Sequence, residues 1–264
     1  WKVPHFEKML YDNAQMIQLL SKVYKLNRNK EYKEVVEETF EFLKTEMRNT
    51  EGGYFSAMDA DTNGEEGVYY VWEKEEIRKL LGNDFELFSK FYNIQDQEVW
   101  EDGNFVLNNT ISKKDFLNES LLNDDEFIKK TNHWKSTLYK ARQKREKPTK
   151  DFKVLTSWNA LLIDGLVEAY KAFGEKKYLD EAISVFNYLN TNNYRNGDLV
   201  HSYTADSKQK VVFLEDYAFL AKSAFGLFEV TLDTSYLNSA KELMSAAMDK
   251  YKSDSELYYY NISS

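Results

Sequence analysis

The stretch Val154–Asn193 reads V-L-T-S-W-N-A-L-L-I-D-G-L-V-E-A-Y-K-A-F-G-E-K-K-Y-L-D-E-A-I-S-V-F-N-Y-L-N-T-N-N, and it decides the fold. Trp158, Leu161, Leu162, Gly165, Leu166, Ala169, Tyr170 and Phe173 recur at the i, i+3, i+4, i+7 spacing of one helix face, with Ser157 as N-cap and Gly174 as terminator. Ile163 and Val167 add apolar surface on another side, so this helix is expected to be packed on more than one side, in the inner layer of an all-helical protein. A second helix, about Tyr178 to Asn190, turns Leu179, Ala182, Ile183, Phe186 and Leu189 inward and leaves Asp180, Glu181 and Ser184 wet, which reads as an outer helix.

The hairpin recurs. Aligning Ala14, Ala160 and Ala218 puts each just inside an apolar helix, and a tyrosine, Tyr32, Tyr178 or Tyr236, follows 18 residues later to open the outer helix. Each copy then reaches a loop with aromatic or His residues: Gly52-Gly53-Tyr54-Phe55, Gly197-Asp198-Leu199-Val200-His201 and Glu256-Leu257-Tyr258-Tyr259-Tyr260. Copies two and three lie 58 residues apart and copies one and two 146 apart, so an insertion separates the first pair. Internal helical repeats of this kind indicate an array that stacks hairpin on hairpin. The expected organisation is one domain over 1–264, with hairpins at about 5–60, 155–205 and 213–264 and an irregular insertion at about 62–150. Within the insertion, Val68–Trp72 reads as extended, Glu73–Leu81 and Asp84–Tyr92 as short helices, Val99–Thr110 as irregular, and Asp124–Lys147 as a charged helix closed by Pro148.

Composition narrows the function classes. The 264 residues are 42% hydrophobic and 16% aromatic, enough for a large core, and only two prolines interrupt the helices. A formal charge of −9 argues against nucleic acid or an anionic membrane as partner, because phosphate binding needs clustered Lys and Arg, and the one basic block, Lys140–Lys150, reads as a solvated helix end. No window approaches about 18 apolar residues, so no membrane-spanning helix is expected. The absence of cysteine removes thiol catalysis and Cys-based zinc sites and leaves the compartment open, with the cytoplasm favoured. The chain opens on Trp1 rather than Met, which suggests a piece of something longer.

Four blocks then carry a resemblance. W-K-V-P-H-F-E-K-M-L-Y-D-N-A-Q at 1–15, Y-F-S-A-M-D-A-D with G-E-E-G-V-Y-Y-V-W across 54–72, K-V-L-T-S-W-N-A-L at 153–161 and L-E-D-Y-A-F at 214–219 resemble the spermatogenesis-associated protein 20-like family, also called thioredoxin-domain proteins. Y-N-I at 92–94 and A-R-Q-K-R at 141–145 fall between them in the family's order. The resemblance implies an (α/α) toroid like those of six-hairpin glycosidases and N-acylglucosamine 2-epimerases, expected to be incomplete here, and an intramolecular thioredoxin-like domain as partner in the intact protein. Two positions depart from the pattern: family members often carry an acidic pair before K-V-L-T, where this chain has Asp151 and Phe152, and often glycine at Ala160.

In such an array the N-terminal ends of the inner helices converge, and Tyr11-Asp12-Asn13, Ser157-Trp158-Asn159 and Glu215-Asp216-Tyr217 are the three equivalent starts. Carboxylates, amides and aromatic faces together suit a carbohydrate or polyol. The catalytic candidates are Asp12, Glu215, Asp216 and His5, with Trp158, Asn159, Tyr217, Asn13, Asp59, Asp61 and Trp72 as substrate contacts. Capping and core packing compete for several of these, Asp12 and Asp216 as dipole partners and Trp158 as core. A glycosidase needs two carboxyl groups about 5 Å or about 6.5–9.5 Å apart. An epimerase of related fold needs paired acid and base groups, commonly histidines. Only His5, His133 and His201 exist, and only His5 lies in a family block, so the two-histidine mechanism is the weaker. Asp59-Ala60-Asp61-Thr62-Asn63-Gly64 fits half of a calcium loop, but Tyr70 stands where the bidentate Glu belongs; no metal and no cofactor is expected. The rival to a sugar enzyme is a non-catalytic helical-repeat module that receives a thioredoxin-like domain or another protein.

Overall fold

The computed structural model describes residues 3–94, 99–109, 111–195, 198–203, 208–209, 212–255 and 257–261. Trp1, Lys2, Thr110, Gly197 and Glu256, which figure in the blocks and loops above, lie outside the described residues. The helices in chain order are α1 (Leu10–Asn27), α2 (Lys30–Phe42), α3 (Lys74–Leu81), α4 (Phe85–Phe91), α5 (Lys113–Ser120), α6 (Asp124–Arg142), α7 (Thr156–Phe173), α8 (Lys176–Asn192), α9 (Leu214–Thr231) and α10 (Thr234–Tyr251). The named strands are two residues long. The chain divides into two compact units, one of Lys8–Met58 with Lys150–Ser264, the other of Trp1–Glu7 with Asp59–Thr149.

The larger unit is three antiparallel hairpins, α1/α2, α7/α8 and α9/α10, with α7 packed between α1 and α9. The repeat read from sequence is kept to the residue. Ala14, Ala160 and Ala218 are each the fifth residue of an 18-residue inner helix, and Tyr32, Tyr178 and Tyr236 are each the third residue of the outer one. In all three outer helices the tyrosine amide donates to the N-cap carbonyl at 3.2 Å, from Tyr32 to Asn29, Tyr178 to Glu175 and Tyr236 to Asp233. The inner helices end alike on left-handed residues, Arg28, Gly174 and Leu232, whose amides return to Tyr24, Tyr170 and Phe228.

α7 is the hub, and most of its residues are buried. Gly165 permits the closest contact, since a Cβ there would stand 2.6 Å from the Ala14 carbonyl oxygen of α1. Two expectations fail locally. Ser157 does not cap α7: the helix starts one residue earlier, Ser157 is fully buried, and its amide donates to the Asp216 carboxylate of α9, so the cap comes from another helix. Glu181 is not wet: it is 8% exposed and accepts from Arg48 Nε (2.6 Å) and the Tyr54 hydroxyl (3.0 Å), a three-group network that ties the loop after α2 to α8. Burial, ahead of the Glu181 charge, drives the Tyr54 hydroxyl far above its usual pKa, so it stays a neutral donor.

Short antiparallel strands feed the inner helices. Lys8–Met9, which runs into α1, pairs with Ala57–Met58, which pairs in turn with Lys150–Asp151. Val154–Leu155, which runs into α7, pairs with Ser202–Tyr203 and so brings His201 beside the start of α7, where its carbonyl accepts from Thr156 N at 2.9 Å.

The smaller unit packs α3–α6 around Trp72, Phe85, Phe88, Phe91, Phe116, Phe127 and Trp134. Glu73 falls outside α3 as its N-cap, α4 begins at Phe85 after a turn of 3-10 helix, and α6 ends at Arg142, short of the expected Lys147. Val68–Val71 is a turn rather than a strand: Gly67 at φ 76° starts it, Tyr70 and Val71 donate back to the Gly67 carbonyl, and only Trp72 bridges Phe105. Asp59–Gly64 leads into a tight hairpin, Asp61–Thr62 on Glu65–Glu66, turned by Asn63 and Gly64 with both φ angles positive, as a two-residue Asn-Gly turn requires. Among the described residues no group of three His, Asp or Glu side chains could hold a metal ion.

Candidate functional site

Three helix starts and one loop meet in the larger unit. At the start of α9, Asp216 has no exposed surface and one carboxylate serves three donors. Oδ1 accepts from Ser157 N (3.1 Å), Oδ2 from Phe213 N (3.0 Å), and both oxygens lie 3.0–3.1 Å from His201 Nδ1. A single anion therefore closes the N-termini of α7 and α9, where the helix dipoles favour it, and fixes an imidazole. The hydrogen bond to Asp216 raises the His201 pKa against the opposing effect of burial, and Glu215 adds to the rise. With Nδ1 held by the carboxylate, Nε2 is the nitrogen left for other partners, and the side chain is 17% exposed.

Glu215 sits beside this pair. Its Oε1 accepts from Ser157 Oγ at 3.3 Å, and it hydrogen-bonds the Tyr260 hydroxyl. The Tyr260 ring stacks on Phe213 (5.1 Å between centroids), and Phe213 meets His201 edge-on at 4.7 Å. On the other side of Ser157, Trp158 is half-buried and meets Tyr11 of α1 edge-to-face at 4.8 Å. Tyr11, Trp158, Ser157, Glu215, His201 and Phe213 are thus linked contact by contact. Exposed Phe152, which packs edge-on against Phe55, precedes α7 in the same unit.

The remaining sequence candidates fall in three places. Asp12 is exposed in the first turn of α1, and Asn13 donates to the Met9 carbonyl at 2.7 Å. Asn159 and Tyr217 are buried with their polar groups committed. The Asn159 amide pairs with both backbone groups of Tyr54 and with the Leu155 carbonyl, all at 2.9 Å, and the Tyr217 hydroxyl takes Leu199 N at 3.2 Å and Lys250 Nζ at 3.0 Å. His5, Asp59, Asp61 and Trp72 belong to the smaller unit. There His5 Nε2 lies 3.3 Å from Glu7, Asp59 accepts from Asp61 N and Thr149 Oγ1, and buried Trp72 carries the Arg145 guanidinium on its ring face at 4.1 Å. His201 is the residue the family blocks passed over. Its signal was the pairing of a loop histidine with an acidic residue at the next helix start, 15 residues on.

No family model matches the chain. An uncharacterized protein of Caenorhabditis elegans, B0495.5, is 31% identical over 95% of this chain and 39% of its own length. Human spermatogenesis-associated protein 20 is 28% identical over 97% of this chain and 37% of its own. Over nearly its whole length the chain is thus similar to proteins named spermatogenesis-associated protein 20. It spans well under half the length of these relatives. Among solved structures, the cellobiose 2-epimerase of Spirochaeta thermophila superposes with a TM-score of 0.56 at 12% identity, covering 94% of this chain and 45% of that one. That likeness carries the fold: an all-α chain of the (α/α)-toroid, six-hairpin glycosidase-like class, as this family was expected to have.

Proposed function

We propose that the joined starts of α1, α7 and α9 bind a carbohydrate or similar polyol, and that any turnover there is acid–base chemistry. The observation that supports this best is the His201–Asp216 pair held at a shared helix terminus, with Glu215 and the Tyr11–Trp158 rings alongside. Half-buried aromatic faces suit the apolar face of a sugar ring, and carboxylate and imidazole suit its hydroxyls. In this reading Glu215 and His201 Nε2 exchange protons with substrate, Asp12 is a further carboxylate at the rim, and Asp216 acts through His201 as a positioning residue. The hydrogen bond to Asp216 lets His201 keep its proton to higher pH than a free imidazole, and an imidazole can give a proton in one step and take it in the next. The fold neighbour acts on cellobiose, which fits a sugar ligand and leaves the reaction open.

The test is proton NMR of the chain with a panel of mono- and disaccharides, reading saturation transfer for binding and new anomeric signals for turnover. Binding abolished by Trp158→Ala, with turnover abolished by Glu215→Gln while binding persists, is the expected pattern. Absence of saturation transfer across the panel defeats the reading. The second reading, a non-catalytic helical-repeat module for a thioredoxin-like domain or other protein, draws on the apolar side chains left exposed on the outermost hairpins, including Leu19, Leu26, Phe225 and Leu232.

A further inference from the structure

The smaller unit holds a cavity of its own, of about 490 Å³, lined from the Asp61–Glu66 hairpin, the turn at Val68–Val71, the start of α3 and the segment after α6. That volume falls in the range of about 300–1,000 Å³ that small-ligand sites occupy. The charged lining is four carboxylates, Glu65, Glu73, Glu76 and Glu146, and one cation, Arg145. Arg145 balances only one of them. Its Nη2 pairs with Glu76 Oε2 at 2.6 Å, its Nη1 donates to the carbonyls of Val68 (3.3 Å), Tyr69 (3.1 Å) and Val71 (2.6 Å), and the guanidinium lies on the Trp72 ring. The charge of Arg145 is therefore committed to Glu76 and to closing the turn that Gly67 starts. Glu146 accepts from the neutral Asn63 amide at 2.9 Å, and among the described residues no cation lies within ion-pair distance of Glu65, Glu73 or Glu146.

A second observation comes from Thr62. It lines the same cavity, it is 7% exposed, and its Oγ1 has no hydrogen-bond partner. Buried hydroxyls are nearly always paired, and one left unpaired costs stability. An occupant of the cavity is what could pair this one. The chemistry of the occupant follows from the lining. No three of the acidic side chains could converge on a metal ion, so the cation they suit is an extended one. Val68, Tyr69 and Val71 put apolar surface among the carboxylates, which suits methylene groups between charged ends.

We propose that this cavity binds a linear polyamine, a chain of ammonium groups spaced by methylenes. The ammonium groups donate charge-assisted hydrogen bonds to Glu65, Glu73 and Glu146, one of them also donates to Thr62 Oγ1, and the methylenes lie along Val68 and Val71. Three carboxylates without a cation call for more than one ammonium, which separates a polyamine from a simple alkylamine. The site lies wholly within the smaller unit and is independent of the sugar reading, which concerns the larger one.

The test is calorimetric titration of the full chain with spermidine at about 20 mM salt, where exposed charges are little screened. One spermidine should bind per chain, and n-butylamine, with a single ammonium, should bind at least roughly ten-fold more weakly. Glu65→Gln/Glu73→Gln should weaken spermidine roughly ten-fold or more, whereas Glu34→Gln/Glu41→Gln, which removes the same charge from the exposed face of α2, should leave its affinity unchanged. Thr62→Val should weaken binding several-fold, yet the Tm of the free chain should hold or rise, because the hydroxyl it removes has no partner. No heat up to about 5 mM spermidine overturns the proposal. Equal losses in the two double variants do so as well, since they would show only a general attraction to an acidic chain. Tighter binding of a blocked Lys-Gly-Lys peptide than of spermidine also overturns it, and assigns the cavity to a basic protein segment.

Discussion

At the scale of single residues the candidate site rests on one buried anion. Asp216 gives its two oxygens to Ser157 N, Phe213 N and His201, so its removal strands two amides and an imidazole at once. Asp216→Ala should cost about 2–4 kcal/mol, read from urea unfolding, since buried groups left unsatisfied cost about 1–3 kcal/mol each and partial relaxation offsets some of that. His201 supplies a pH test. Its pKa is raised in the folded chain, so the folded state holds the proton more tightly than the unfolded state does. The stabilisation is therefore full below about pH 6.5 and disappears as pH rises through the higher folded value. The difference in Tm between wild type and His201→Asn should be largest in mild acid and shrink above about pH 6.5; a difference that grows with pH would show that His201 is held neutral. Asn159 deserves the same reasoning as Asp216. Its amide replaces a strand partner for Tyr54, so Asn159→Ala should lose about 2–3 kcal/mol by the same measurement even with no ligand present.

Two glycines show how unequal the contacts between elements are. Gly165 of α7 leaves no room for a methyl group, because the atom in the way is the backbone oxygen of Ala14 and cannot rotate aside. Gly226 of α9 would place a Cβ 3.6 Å from Val167, an ordinary contact. Gly165→Ala should therefore destabilise by about 1–3 kcal/mol through overpacking. Gly226→Ala should be neutral or stabilise by up to about 1 kcal/mol, because alanine is the better helix former. Thermal melts of the two variants decide it, and equal losses would mean that α1 and α9 sit equally far from α7. Elements were also where the sequence was most legible. The Ala-to-Tyr spacing of 18 located all three hairpins, because an 18-residue inner helix and a short turn fix that number geometrically. Caps supplied by another helix were not legible. Ser157 has the side chain of an N-cap, yet Asp216, 59 residues away, does that work, and no local pattern signals a partner brought in by folding. Glu181 was misread for a related reason: its place on the helix faces the core, and Arg48 and Tyr54 make a buried carboxylate tolerable there. The hydroxyl-rich aromatic stretch before Trp72 looked like a strand, and Gly67 with its positive φ folds it into a turn instead.

For the molecule as a whole, stability is drawn from two compact units, each with a core of its own. In the smaller one Trp134 is buried and meets Phe88 edge-on at 5.5 Å, and its Nε1 donates to Asp84 Oδ2 at 3.0 Å, so one side chain supplies both apolar filling and a hydrogen bond. Trp134→Ala should therefore cost about 3–5 kcal/mol. Trp134→Phe keeps most of the apolar filling and loses only the donor to Asp84, so it should cost less. Urea unfolding of the two variants decides it, and equal losses would mean that the hydrogen bond to Asp84, rather than the packing, is what Trp134 contributes.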